Sequence, residues 1–196
     1  MASAACPSYY CGSEWEDLET ALCPDRKNGG INLMIILRCG VQTSELVSNS
    51  DPTALDEAKV QALITGNDAR VVPFIQITMD APSAVTTNVY DPLNPEQTVT
   101  YDRTLTIVDP NVNETRRKFW DSINSASGFS NGGCLLWEAD AERWSWVDAQ
   151  LSLSGGRTSP ENNSELQRFE YSATYRSKSD ASIMEGTTFT PVDLVY

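Results

Sequence analysis

Hydrophobic residues follow two rhythms along this chain. In INLMIILRCGV (31–41) they run unbroken as Leu33-Met34-Ile35-Ile36-Leu37. A short continuous apolar run set off by Gly29-Gly30 predicts a strand buried on both faces. In QRFEYSATYRS (167–177) they alternate instead. Phe169, Tyr171, Ala173 and Tyr175 share one parity, and Glu170, Ser172, Thr174 and Arg176 share the other. A period of two predicts a strand with one apolar face and one wet face. So large an aromatic face needs a cover. Two covers suggest themselves: the helix over 113–127 carrying Phe119 and Trp120, or a neighbouring subunit.

The same patterns place the other elements. VVPFIQITMDAPS predicts a strand in which Pro73 marks an edge or a bulge. VTTNVY and QTVTYDRTLTIV are alternating Thr/Val runs flanking DPLNPE, whose two prolines no strand interior tolerates. They predict a projecting hairpin at about 84–108. CLLWEAD and RWSWVDAQLSLSGG each read as one strand, GGRTSPENN as a polar loop, and the tail SIMEGTTFTPVDLVY adds a strand near Phe189. DPTALDEAKVQALITGND predicts a helix capped by Asp51, with Pro52 near its first turn, Gly66 as its stop, and an apolar stripe of Leu55, Ala58, Ala62 and Leu63. NETRRKFWDSINSAS predicts a second, capped by Asn113, with Phe119, Trp120 and Ile123 on its apolar side. Strands in runs, rather than alternating with helices, predict an α+β, mainly β fold: an antiparallel β-sandwich or barrel with helices packed on one side and a long hairpin loop. Residues 1–28 read as an irregular cysteine-containing arm with one short helix in SEWEDLETAL, and 29–196 as a single domain.

Composition narrows the chemistry. The 196 residues include no histidine, which removes Ser-His-Asp and Cys-His sites and the commonest metal ligand. No phosphate-cradling glycine motif or calcium loop is present. The expectation is therefore a non-enzyme with no cofactor. Glu138, Asp140, Glu142 and Asp148 lie among Trp137, Trp144 and Trp146, which keeps a carbohydrate-binding role, or catalysis by carboxylates alone, as alternatives. Cys6, Cys11 and Cys23 have the spacing C-x4-C-x11-C, looser than the C-x2-C pairs of a zinc site, which would also need Cys39 or a carboxylate as fourth ligand; free thiols are the favoured reading over a metal site. An odd total of five cysteines points to free, partly buried thiols. The longest apolar run is far below the ~20 residues of a membrane span. MASAACPSYYCGSEWED has neither a basic start nor an apolar stretch, so it predicts no signal peptide. A net charge of −13 argues against a protein that grips nucleic acid, but it suits a surface that DNA passes without sticking.

Trp144 and Trp146 share a strand face with Asp148 and Gln150, opposite Ser145, Val147, Ala149, Leu151 and Leu153. Tryptophans on a mixed face fit burial by a second subunit, since Trp and Tyr are enriched at interface hot spots. The whole layout resembles the tail-tube (major tail) proteins of tailed bacteriophages, of the type found in phages of Bacteroidetes bacteria. The resemblance runs from the arm into GGINLMIIL, through DPTALDEAKVQALITGND, the mid-chain hairpin and NETRRKFWDSINSA, to SPENNSELQRFEYSATYRSKSD. It implies a β-sandwich subunit of stacked, hexameric rings that form a DNA conduit. Its partners would be copies of itself, other tail or neck proteins and passing DNA. Its place would be the virion tail, assembled in the host bacterial cytoplasm. On that reading Tyr90, Leu93, Trp144, Trp146 and Tyr175 face neighbouring subunits, and Asp91, Glu96 and Asp102 face the lumen. A tail terminator, head–tail connector or capsid decoration protein shares these features, and a receptor-binding β-module is a further alternative.

Overall fold

The computed structural model describes residues 30–80, 83–88, 97–125, 131–158, 167–177 and 181–196. The strands are β1 (Ile31–Arg38), β2 (Ala69–Met79), β3 (Ser83–Asn88), β4 (Gln97–Asp109), β5 (Asn131–Glu138), β6 (Arg143–Val147), β7 (Ser152–Thr158), β8 (Arg168–Ser177) and β9 (Ser182–Ile183). The helices are α1 (Glu57–Thr65) and α2 (Glu114–Ser125). The predicted arm, its short helix and Cys6, Cys11 and Cys23 lie outside the described residues.

The nine strands form one continuous antiparallel sheet, ordered β7-β8-β4-β2-β1-β5-β6-β9, with β3 paired to β4. The mainly β, α+β class is as expected. The helices are not on one side, however. Met34 and Ile36 of β1 enter a core with Phe119, Trp120 and Ile123 of α2, while Leu33, Ile35 and Leu37 enter a second core with Val60 and Ile64 of α1. Residues of opposite parity face opposite ways, so β1 is buried on both faces, as its unbroken run predicts, and one helix lies on each.

The sheet also curls. β6 and β7 lie six strand spacings apart in the order, about 29 Å if flat. Yet only residues 148–151 join Val147 to Ser152, a link that reaches at most about 18 Å. The two ends of the sheet must therefore approach each other, and Val147, Leu151 and Leu153 share the α2-side core with Phe169, Tyr171, Ala173 and Tyr175 of β8. RWSWVDAQLSLSGG is thus two strands at opposite ends of the sheet, not one. Parity persists through the break, which is why the pattern conceals it.

Local chemistry explains the boundaries. α2 is capped as predicted: Asn113 Oδ1 accepts from Arg116 N at 2.7 Å. α1 starts later than predicted. Asp51 instead closes a turn onto Thr53, with N–H and hydroxyl both donating to Oδ1 at 2.8 and 2.6 Å. Leu55 then bridges Val47, and Asp56 caps the helix through Ala58 N and Lys59 N at 3.0 and 3.3 Å. Gly66 ends it as expected. With that later start, the buried side chains are Val60 and Ile64, while Ala58 and Ala62 are exposed. Pro73 marks a bulge. Between Ile31↔Ile77 and Leu33↔Pro73 two residues of β1 span four of β2, and Phe74 takes a positive φ of 61°.

Residues 181–196 form a strap rather than a strand near Phe189. β9 pairs with β6, and Met184, Phe189 and Leu194 fill the α1-side core over Trp137 and Trp144. Trp144 Nε1 donates to the Phe189 carbonyl at 3.0 Å. Cys134 is free and buried, as expected of a structural thiol. Cys39, by contrast, is disulfide-bonded, so it is neither a free thiol nor a ready metal ligand.

Candidate functional site

The feature that stands apart from the packed body is the β3–β4 ribbon. β2 and β3 run end to end along one edge of β4, Met79 pairing with Leu105 and Ser83 with Asp102. β8 runs along the other edge and stops at Tyr101↔Ser177. Past that point the pairs Val85↔Thr100, Thr86↔Val99, Thr87↔Thr98 and Asn88↔Gln97 continue alone. The ribbon therefore reaches about 14 Å beyond the last β8 pair, as two strands with no third among the described residues. The predicted hairpin is thus present. SAVTTN and QTVT supply β-branched residues and no charge, which favours strands and removes the charges that usually guard an open edge. A two-stranded ribbon is marginal by itself in water.

The predicted contact residues fall in three groups. Tyr90, Asp91, Leu93 and Glu96 lie outside the described residues. Trp144, Trp146 and Tyr175 are 1%, 3% and 4% exposed. The chain buries them itself, so the expectation that they face a neighbour is corrected. Trp144 packs between Trp137 and Phe189, with centroids 5.1 and 5.6 Å away, and Tyr175 lies in the α2-side core. Alternation shows that a face is covered but not by what, and here the strap covers one face and α2 the other. Of the two covers suggested for the β8 aromatics, α2 is the one found: Trp120 stacks on Tyr171 at 4.7 Å. Asp102, expected to line a lumen, is held by Arg176, whose Nε and Nη2 donate to its two oxygens at 2.7 and 3.0 Å. That bond keeps its carboxyl below the usual range, and the pair carries no net charge.

The acidic cluster among the tryptophans does not converge. Glu138 accepts from Arg143 Nε at 2.6 Å and from the Ser145 hydroxyl. Asp140 Oδ2 accepts from Gly30 N at 2.7 Å, and Glu142 sits in the β5–β6 turn. Only Asp148 reaches a cavity, one of about 360 Å³ where β6, β9 and the end of β8 meet. Its carboxylate takes a long bond from Thr43 Oγ1 at 3.5 Å. Among the described residues no second carboxylate lines that cavity, so the paired acids of sugar cleavage are not assembled there. Trp137 and Trp144 are buried in the α1-side core, while Trp146, 3% exposed, lines that cavity together with Asp148 and Tyr175.

One polar group is buried deeply, and sequence reasoning missed it. Asp109 at the end of β4 pairs with Arg116 Nη1 at 3.4 Å and accepts from Trp120 Nε1 at 2.9 Å and Asn111 N at 2.9 Å. Arg116 Nη2 also donates to the Pro73 carbonyl at 3.1 Å, tying α2 to the bulge. Burial pushes the Asp109 carboxyl up and the Arg116 guanidinium down, while each charge favours the other's ionised form. Every partner belongs to the fold, and the group fixes α2 on the sheet. The signal was the i,i+7 spacing of an acid at a strand end and a base on the apolar side of the next helix.

Among the described residues no group of three or more His, Cys, Asp or Glu side chains is placed to hold a metal ion, and no helix is long and apolar enough to cross a membrane. No protein-family model, curated protein or solved structure matches the chain.

Proposed function

We propose that this chain is a self-assembling structural subunit, of the kind that builds the tail tube of a tailed bacteriophage. The observation that carries the reading is the β3–β4 ribbon. Its strand segments 83–88 and 97–100 are rich in β-branched residues and carry no charge, and no third strand pairs with them among the described residues, on a body whose aromatic cores are buried. Such an arm gains stability by pairing with another chain. The acid surplus supports the second half of the reading. A wall assembled from copies of charge −13 repels phosphate, so DNA slides along it instead of binding.

Sedimentation velocity over a range of concentrations tests this. The whole chain is expected to associate. A variant lacking residues 86–99, with Val85 joined to Thr100 through Asn-Gly, is expected to keep its fold and remain monomeric. Equal association of the two proteins would remove the ribbon from the reading.

A further inference from the structure

The cavity of about 360 Å³ beside Trp146 is built by four stretches distant in sequence: residues 43–53, the end of β6 with the link after it, the end of β8, and the start of the strap. Its lining divides by exposure. Trp146, Val147, Tyr175 and Met184 are buried and make a largely apolar floor. Thr43, Thr53, Asp148 and Ser182 are exposed and make a polar rim, beside an Ile183 that is 41% exposed. An apolar floor with a few polar groups at the mouth is how small-ligand sites are built.

The rim selects the ligand by charge. Asp148 is the one charged side chain among the described lining residues. No cation pairs with it there, and its hydrogen bond from Thr43 Oγ1 is long, at 3.5 Å. Thr53 Oγ1 already donates its proton to Asp51 Oδ1 at 2.6 Å, so toward a ligand that oxygen only accepts. No described lining residue brings a side-chain amide, ammonium or guanidinium. An anion would lack a positive partner, and a neutral sugar would lack the N–H donors that its oxygens seek. A divalent metal ion wants about six oxygen ligands, and one carboxylate with scattered hydroxyls does not supply them. An ammonium ion carries donors only, and a carboxylate with hydroxyl oxygens beside it is what it requires. The acid surplus of the whole chain also concentrates cations at its surface. We infer that this cavity binds a small organic amine in its ammonium form, with the charge on Asp148 and the apolar body on the floor of Trp146, Val147 and Met184. The strap supplies Ser182, Ile183 and Met184 and the body supplies Asp148, so the occupant bridges the two and stabilises the fold by mass action. This site does not depend on self-assembly.

Benzylamine is a suitable probe, with benzyl alcohol and benzoate as its neutral and anionic counterparts of similar shape. Proton–nitrogen NMR of the whole chain, at neutral pH and constant ionic strength, reads the binding. Benzylamine is expected to move the backbone amide signals of Asp148, Ala149 and Ser182 in a saturable way. Benzyl alcohol is expected to bind at least about 10-fold more weakly, the loss of one charge-assisted hydrogen bond, and benzoate not measurably. Asp148→Asn replaces an exposed side chain that makes only the one long bond, so its circular dichroism is expected to be unchanged. Its affinity for benzylamine is expected to fall to that for the alcohol. Amine and alcohol binding alike in the unmodified chain would overturn the assignment. So would a preference for the amine that survives Asp148→Asn, or cavity signals that none of the three probes moves.

Discussion

β1 and β8 belong to the same sheet, with only β4 and β2 between them, yet they live in different surroundings. On β1 both parities are sealed, Met34 and Ile36 under α2 and Leu33, Ile35 and Leu37 under α1 and the strap. On β8 one parity is sealed and the other carries Arg168, Glu170, Ser172, Thr174 and Arg176 into water or partial cover. Across neighbouring strands that wet face continues as rows of hydroxyls, Ser152–Thr174–Thr104 and Ser154–Ser172–Thr106–Thr78. The two halves differ in what lies over the second face. An unbroken apolar run marks the strand covered twice, and an alternating one marks the strand covered once.

The largest expected effects break this contrast at β1. Ile35→Asp and Ile36→Asp, of opposite parity, should each cost more than about 4 kcal/mol, because each places an unpaired charge in a core. On β8 only one parity should respond. Tyr171→Asp should cost as much, and Thr174→Asp less than about 1 kcal/mol, both read by urea denaturation. Equal losses at Tyr171 and Thr174 would mean that the hydroxyl face is covered after all. Next, Asp109→Asn leaves Arg116 buried without its counter-charge and should cost about 3 kcal/mol. Phe189→Ala opens the strap side and should cost about 3 kcal/mol, while the α2 side keeps its near-ultraviolet signature from Trp120 on Tyr171. The smallest effect concerns Tyr171 itself. Burial pushes its phenol up to about 12. It therefore ionises first in the unfolded chain, and stability should fall as pH climbs past about 10, a loss that Tyr171→Phe removes.

What could be read from the sequence was local or periodic. The unbroken run at β1, the alternation at β4 and β8, the Asn113 cap, the Gly66 stop and the bulge at Pro73 all follow from rules that act within a few residues. What could not be read depends on distant partners. Asp51 and Asp56 are both capable caps, and the Val47–Leu55 bridge decides between them. The break at 148–151 preserves parity, so nothing local announces that β7 crosses to the far end of the sheet. Trp144 and Trp146 plainly needed a cover. That the cover is the strap, some 40 residues along the same chain, is not a periodic fact. The same ambiguity makes two buried tryptophans look like an interface in the sequence.

Electron microscopy of the purified chain, raised to high concentration in moderate salt, bears most directly on self-assembly. Rings or tubes with a central bore are the expected result. Single particles of one chain at every concentration, unchanged when the acidic repulsion is screened, would contradict it.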